Sequence, residues 1–277
     1  MKNKIISVVT NYYLKHPKSR KSLAFLRNMI FPTKPSFEGW GMKTYNDPPW
    51  VNEPNSIFNL TSKEIKKLKF KSVSSTGIDE NNVDTLLWRH WIVSYATKQA
   101  ILFSSDNQFN FVECGVGDGL TAFFTLNTIY EVLGNENNAH LHLYDSWNPM
   151  KKDDLLENEY TNIDRYSDLE FDNTKENLKK FEKNLIFHRG YIPDVFNMEP
   201  ESPLSIIYMH IDLNSKIPTI ASLEYFFPKL LSGGIILFDD YGWDNHKSTK
   251  NAIDEFFKNR SGILLHLPTS QAIFFKK

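Results

Sequence analysis

Six positions close short apolar runs and carry most of the chemistry this chain can do: Glu113, Asp145, Gly190, Asp212, Asp239 and Asp240. Five of them are acids. Asp212 ends the run Leu204-Ser-Ile-Ile-Tyr-Met-His-Ile, and the pair Asp239-Asp240 ends the next one, Gly233-Gly-Ile-Ile-Leu-Phe. If those runs are neighbouring strands, three carboxylates meet. They would repel strongly unless a cation joined them. Hard oxygen ligands select Mg²⁺ or Ca²⁺, and Mg²⁺ keeps waters that substrate oxygens can replace. Taken singly, each acid also reads as a helix cap or as part of an Asp-Asp-Tyr-Gly turn. Taken together they favour metal ligation.

A second constellation is Glu113-Cys-Gly115-Val-Gly117-Asp-Gly119-Leu-Thr, an apolar run that breaks into a glycine turn. Glycine lets backbone approach a ligand and adopt positive φ. A dinucleotide loop needs a glycine where Leu120 stands, and no Gly-Lys-Ser/Thr triplet supplies a P-loop. What remains, Glu-x-Gly-x-Gly-x-Gly, resembles motif I of class I S-adenosylmethionine (SAM) methyltransferases. The alternative is a tight turn with no ligand. Asp145 lies 30 positions after Gly115 and is placed to accept both ribose hydroxyls of an adenosine; its alternative is a cap or Asx turn. Ser146 and Trp147 follow, the indole either flanking an adenine or packing in the core. Gly190 and Tyr191 lie where the adenine edge would pass. Cys114 reads as a small core residue.

These groups need a frame that brings strand ends together. Strand-like runs cover 109–115, 140–145, 185–190, 204–212 and 233–240, and helical patterns cover 83–103, 120–133, 173–184, 218–230 and 250–258. Alternating strands and helices predict a mostly parallel sheet covered on both faces. The end, Ile263 to Phe275, reads as two strands around a tight turn, which predicts an antiparallel strand at one edge. Ligands of such sheets bind beyond the carboxyl ends of the strands.

The segments Val112-Glu-Cys-Gly-Val, Leu143-Tyr-Asp-Ser-Trp, Phe187-His-Arg-Gly-Tyr, His210-Ile-Asp-Leu-Asn and Gly233-Gly-Ile-Ile-Leu-Phe-Asp-Asp-Tyr-Gly resemble, in order and spacing, the macrocin O-methyltransferase (TylF-like) family over roughly residues 80–277. The resemblance implies a class I SAM-methyltransferase (Rossmann-like) three-layer sandwich over 76–277, preceded by an N-terminal extension over 1–75. It implies Mg²⁺-dependent methylation of a sugar hydroxyl, with Asp212, Asp239 and Asp240 as metal ligands. The family's second acid of the Asp-x-Asp segment, proposed in some members as the base, falls on Asn214, and an amide takes no proton at neutral pH. Asp244 and His246 are then the candidate bases. His210 and His188 read as structural. For Arg89 two fates stay open, the SAM carboxylate or a surface salt bridge.

Composition narrows the alternatives. With 277 residues, 41% hydrophobic and 23% charged, the chain is a folded protein, not a disordered one. A net charge of −1 argues against nucleic acid as a partner. One cysteine and the lack of a signal-like or spanning apolar run predict a reducing, cytoplasmic setting. Residues 1–34 hold eight basic residues and no acid. They read as a tail that packs on its own protein or a second subunit in a homo-oligomer, or as an arm touching an anionic membrane surface. The expected acceptor is a small molecule or glycan with vicinal hydroxyls. A catechol or other phenol also presents vicinal oxygens, and Asn214 keeps open a catalytically silent SAM-binding protein.

Overall fold

Phe111 and Val112 are both fully buried yet join different hydrophobic clusters, as do Ile235 and Ile236. Neighbouring strand residues point to opposite faces, so burial on both sides requires helices above and below the sheet. Each such side chain contributes about 1.5–3 kcal/mol through burial.

The computed structural model describes residues 57–68, 70, 87–104, 109–156, 159, 166–198 and 200–277. All lie within the compact unit Pro48–Lys277. Residues 1–56, which include the basic arm with any membrane or subunit contact it makes, and residues 71–86 lie outside the described residues. The strands are β1 (Asn110–Cys114), β2 (His140–Asp145), β3 (Leu185–Arg189), β4 (Ile206–Ile211), β5 (Leu230–Phe238), β6 (Gly262–His266) and β7 (Ala272–Lys276). The helices are α1 (Ile57–Leu68), α2 (Leu87–Phe103), α3 (Leu120–Leu133), α4 (Phe171–Leu178), α5 (Lys216–Phe226) and α6 (Lys247–Phe257).

One seven-stranded sheet runs β3-β2-β1-β4-β5-β7-β6. The pairings of β1 to β5 are parallel, and β7 pairs antiparallel with both β5 and β6. The reversed strand expected from the sequence is β7, and β6 forms the outermost strand beside it. Strand order reverses between β1 and β4, which opens a crevice at their carboxyl ends. Glu113 pairs with His210 and Cys114 with Ile211, so the glycine turn after β1 and Asp212 after β4 emerge side by side.

Gly115 permits that closeness. Its φ is +85°, and a Cβ built on it would overlap the Asp212 carbonyl. At Gly233 (φ +79°) the β4/β5 register shifts, so β5 starts at Leu230, three residues before the expected start. The predicted helix at 173–184 is α4 followed by a 3-10 turn, Lys179–Asn184. Helix α1 packs on α3, where Asn127 Nδ2 donates to Thr61 Oγ1 at 2.8 Å.

Candidate active site

A cavity of about 460 Å³ opens over the crevice. The glycine turn, the segment after β2, the turn after β3 and the acid-bearing ends of β4 and β5 line it.

One half of the cavity is built around Asp145. Its Oδ2 accepts from the N–H groups of Val116 (2.7 Å) and Gly117 (2.9 Å), and its Oδ1 accepts from Trp147 N–H (2.8 Å). Burial raises its pKa, and these backbone donors pull it back. The carboxylate thus shapes the glycine turn and, with two lone pairs on each oxygen, retains acceptor capacity for a ligand hydroxyl.

The three glycines have different surroundings. A Cβ on Gly119 would meet Leu178 and Thr174, whereas Gly117 (φ +55°) has nothing within 4 Å. Gly117 is where a ligand can approach backbone. Ser146, Gly190 and Tyr191 face the cavity, with Tyr191 Oη donating to the Pro149 carbonyl at 2.9 Å.

Trp147 corrects one expectation. Its indole does not line the cavity; it is 3% exposed and packs against Phe171 and Phe187, its Nε1 directed at the Gly117 carbonyl and Thr174 Oγ1. A large ring beside a glycine turn lowers its energy by filling the core, so it supports the turn from behind. Glu113 is fully buried, away from the cavity lining, and neither carboxylate oxygen has a hydrogen-bond partner among the described residues. Burial, then the Asp212 charge, pushes its pKa well above the usual carboxylate range. Burial likewise pushes the Cys114 thiol up, as a core residue requires.

In the other half, Asp212, Asp239 and Asp240 converge, with one oxygen from each within 4.8 Å of the others. Arg89 joins them. Its Nη2 donates to Asp239 Oδ2 at 2.8 Å and to Asp212 Oδ2. Of the two fates expected for Arg89, the surface salt bridge gives way to a pairing inside the acid cluster, where the guanidinium also lines the cavity. Burial alone would lower its pKa, and Asp239, Asp212 and Asp240 more than reverse that. The sequence signal was present, an arginine on the helix before β1, but nothing in the sequence showed that α2 starts over the strand ends.

Asp212 is pushed up to about 6 by burial, with Arg89 opposing and Asp239 adding to the shift. Burial and the charges of Asp212 and Asp239 push Asp240 well above the usual carboxylate range. Gln271 Nε2 donates to Asp239 Oδ1 at 2.8 Å. Asn214, at φ +54°, donates its N–H to Asp240 Oδ2 at 3.0 Å and its side-chain amide towards Asp212 Oδ1 at 3.4 Å. Its amide ties two acids together where a third carboxylate would repel them.

The two candidate bases separate. His246 is 3% exposed, lines the cavity and places Nε2 4.0 Å from Asp240 Oδ1. Asp244 is fully exposed and pairs with Lys247 at 3.7 Å, outside the cavity lining, so it is not positioned as a base. Its neighbours Trp243, Asn245 and His246 line the cavity, whereas Asp244 does not. His210 is buried and held neutral, its pKa lowered to about 4 by burial. His188 packs against His142 and Tyr144.

The sequence profile of the macrocin O-methyltransferase (TylF) family matches residues 98–277. The chain belongs to that family. It is a SAM-dependent O-methyltransferase. The O-methyltransferase NovP is similar in fold, with a TM-score of 0.63 at 13% identity over 79% of this chain and 98% of NovP. The calicheamicin methyltransferase CalS11 is similar at a TM-score of 0.57 and 17% identity, over 87% of this chain and 99% of CalS11. No curated protein sequence matches the chain. Among the described residues, no helix is long and apolar enough to cross a membrane.

Proposed function

We propose that this TylF-family enzyme methylates one of two vicinal hydroxyls on a sugar or glycoside, with a divalent cation, Mg²⁺ by its chemistry, held by Asp212, Asp239 and Asp240. The observation that carries the reading is the convergence of those three carboxylates beside the glycine turn. They offer hard oxygens at a spacing suited to one ion, and Arg89 leaves the cluster with a residual negative charge. The donor side suits SAM through the open backbone at Gly117, the remaining acceptor capacity of Asp145, and Ser146, Gly190 and Tyr191 around the cavity. The buried thiol of Cys114 suits a reducing, cytoplasmic setting.

When bound, SAM supplies a methyl on a cationic sulfonium and the cation lowers the pKa of an acceptor hydroxyl. The chain does the rest. The Asp145-braced turn orients the donor. The acids hold two acceptor oxygens in one place, which converts an encounter into a positioned reaction. His246 faces this end of the cavity and takes the hydroxyl proton, the role Asn214 cannot fill. The chain is assayed for S-adenosylhomocysteine release with SAM, Mg²⁺ and matched panels of glycosides and catechols. Turnover on vicinal sugar diols is expected. Turnover on catechols alone would replace the acceptor class, and SAM binding without any turnover would leave a silent binder.

A further inference from the structure

Glu159 is buried, 2% exposed, yet it carries a carboxylate that no step above uses. It lies beyond β2, and its oxygens reach three separate stretches of chain. Oε2 accepts from Leu156 N–H at 3.0 Å and from Ser215 Oγ at 3.0 Å. Oε1 accepts from Lys216 N–H at 3.1 Å, with Ser248 Oγ at 3.3 Å and Thr249 Oγ1 at 3.5 Å.

Those partners are not scattered. Ser215 directly follows Asn214 and precedes α5; Ser248 and Thr249 stand in the first turn of α6, just after His246. Ser215 Oγ also lies 2.6 Å from the carbonyl of Asp154, a residue of the cavity wall. One carboxylate therefore ties that wall to the turn after Asp212 and to the turn after Asp240. Its charge faces the N-termini of two helices, where partial positive charge and free N–H groups stabilise an anion. Hydrogen bonds to a charged acceptor are about twice as strong as neutral ones.

We propose that Glu159 is a positioning residue: it clamps the acceptor wall, Asn148 to Asp154, onto both acid-bearing turns, so that Asp212, Asn214, Asp240 and His246 keep one geometry. Its catalytic consequence rests on the function proposed above; the clamp itself does not.

The test compares the full-length chain with Glu159→Gln, which keeps the shape and removes the charge. In hydrogen exchange, the clamp predicts faster exchange together in residues 152–156, 213–217 and 247–250, with residues 115–120 unchanged. SAM affinity by calorimetry stays within about twofold, while Mn²⁺ affinity falls about tenfold, as loss of a supporting partner behind metal ligands does. Ser215→Ala, which keeps the charge and removes the hydroxyl shared between Glu159 and the Asp154 carbonyl, gives the same pattern at smaller amplitude. Faster exchange confined to 152–156, or SAM and Mn²⁺ affinities falling in step, would overturn the clamp. Failure of the unaltered chain to bind Mn²⁺ counts against the metal reading alone, because the exchange pattern judges the clamp without it.

Discussion

Arg89 Nη2 lies 2.8 Å from Asp239 Oδ2 and also contacts Asp212, so one guanidinium joins the ends of β4 and β5. A divalent cation held by the same acids competes with it for their oxygens. Removing Arg89 leaves buried negative charge unpaired, which costs about 3 kcal/mol for a pair of this kind. Arg89→Met is therefore expected to melt earlier than the parent in chelator and to be stabilised more by Mg²⁺ or Mn²⁺. Thermal melts with and without metal check this. Equal metal responses in the two proteins would contradict it.

The glycines predict two different losses. Gly115→Ala drives a methyl into the Asp212 carbonyl and is expected to abolish stable folding or shift the denaturation midpoint strongly. Gly117→Ala has room and pays only the positive-φ penalty of about 1–2 kcal/mol. Its main loss is expected in SAM affinity, measured by calorimetry. A Gly117→Ala protein that binds SAM like the parent would move the donor away from this turn.

His246 and Asp244 stand two positions apart and predict opposite outcomes. His246→Ala is expected to lower turnover about 100-fold and to flatten the acid limb of the pH–rate profile, as removal of a general base does. Asp244→Asn, altering a fully exposed side chain, is expected to leave both unchanged. An altered profile in Asp244→Asn alone would reverse the assignment.

His142 Nδ1 and His188 Nε2 meet at 3.0 Å. Burial, and for His142 also the neighbouring His188, lowers their pKa values to about 3 and about 4. In the unfolded chain both titrate near about 6.5. Depressed histidines contribute stability that is fully present above that pH and is lost as the pH falls through the window towards 4, because only the unfolded chain takes up protons there. Asp212, raised to about 6, works the other way. Imidazole nitrogen shifts at about pH 5.5 isolate the pair: both rings are expected to remain neutral, against an ordinary value near 6.5. A protonated ring at that pH would contradict the prediction.

Much of this arrangement was legible in the sequence, because apolar runs ending in acids specify both the strands and what stands beyond them. The parallel order, the reversed strand and the convergence of Asp212 with Asp239 and Asp240 follow from that pattern. Trp147 was ambiguous because an aromatic beside a glycine turn fits a ligand or a core equally well. Arg89, Glu159 and the split between Asp244 and His246 were not legible. Each depends on where a helix starts over the crevice, and local spacing does not encode that.

Asp212, Asp239 and Asp240 are proposed to hold one divalent cation beside the glycine turn. Mn²⁺ titration of the SAM-saturated chain, beside Asp240→Asn, tests it most directly. One ion per chain is expected in the parent, with affinity about tenfold or more weaker in the variant and SAM affinity retained. No binding by the parent, or equal binding by both, would contradict it.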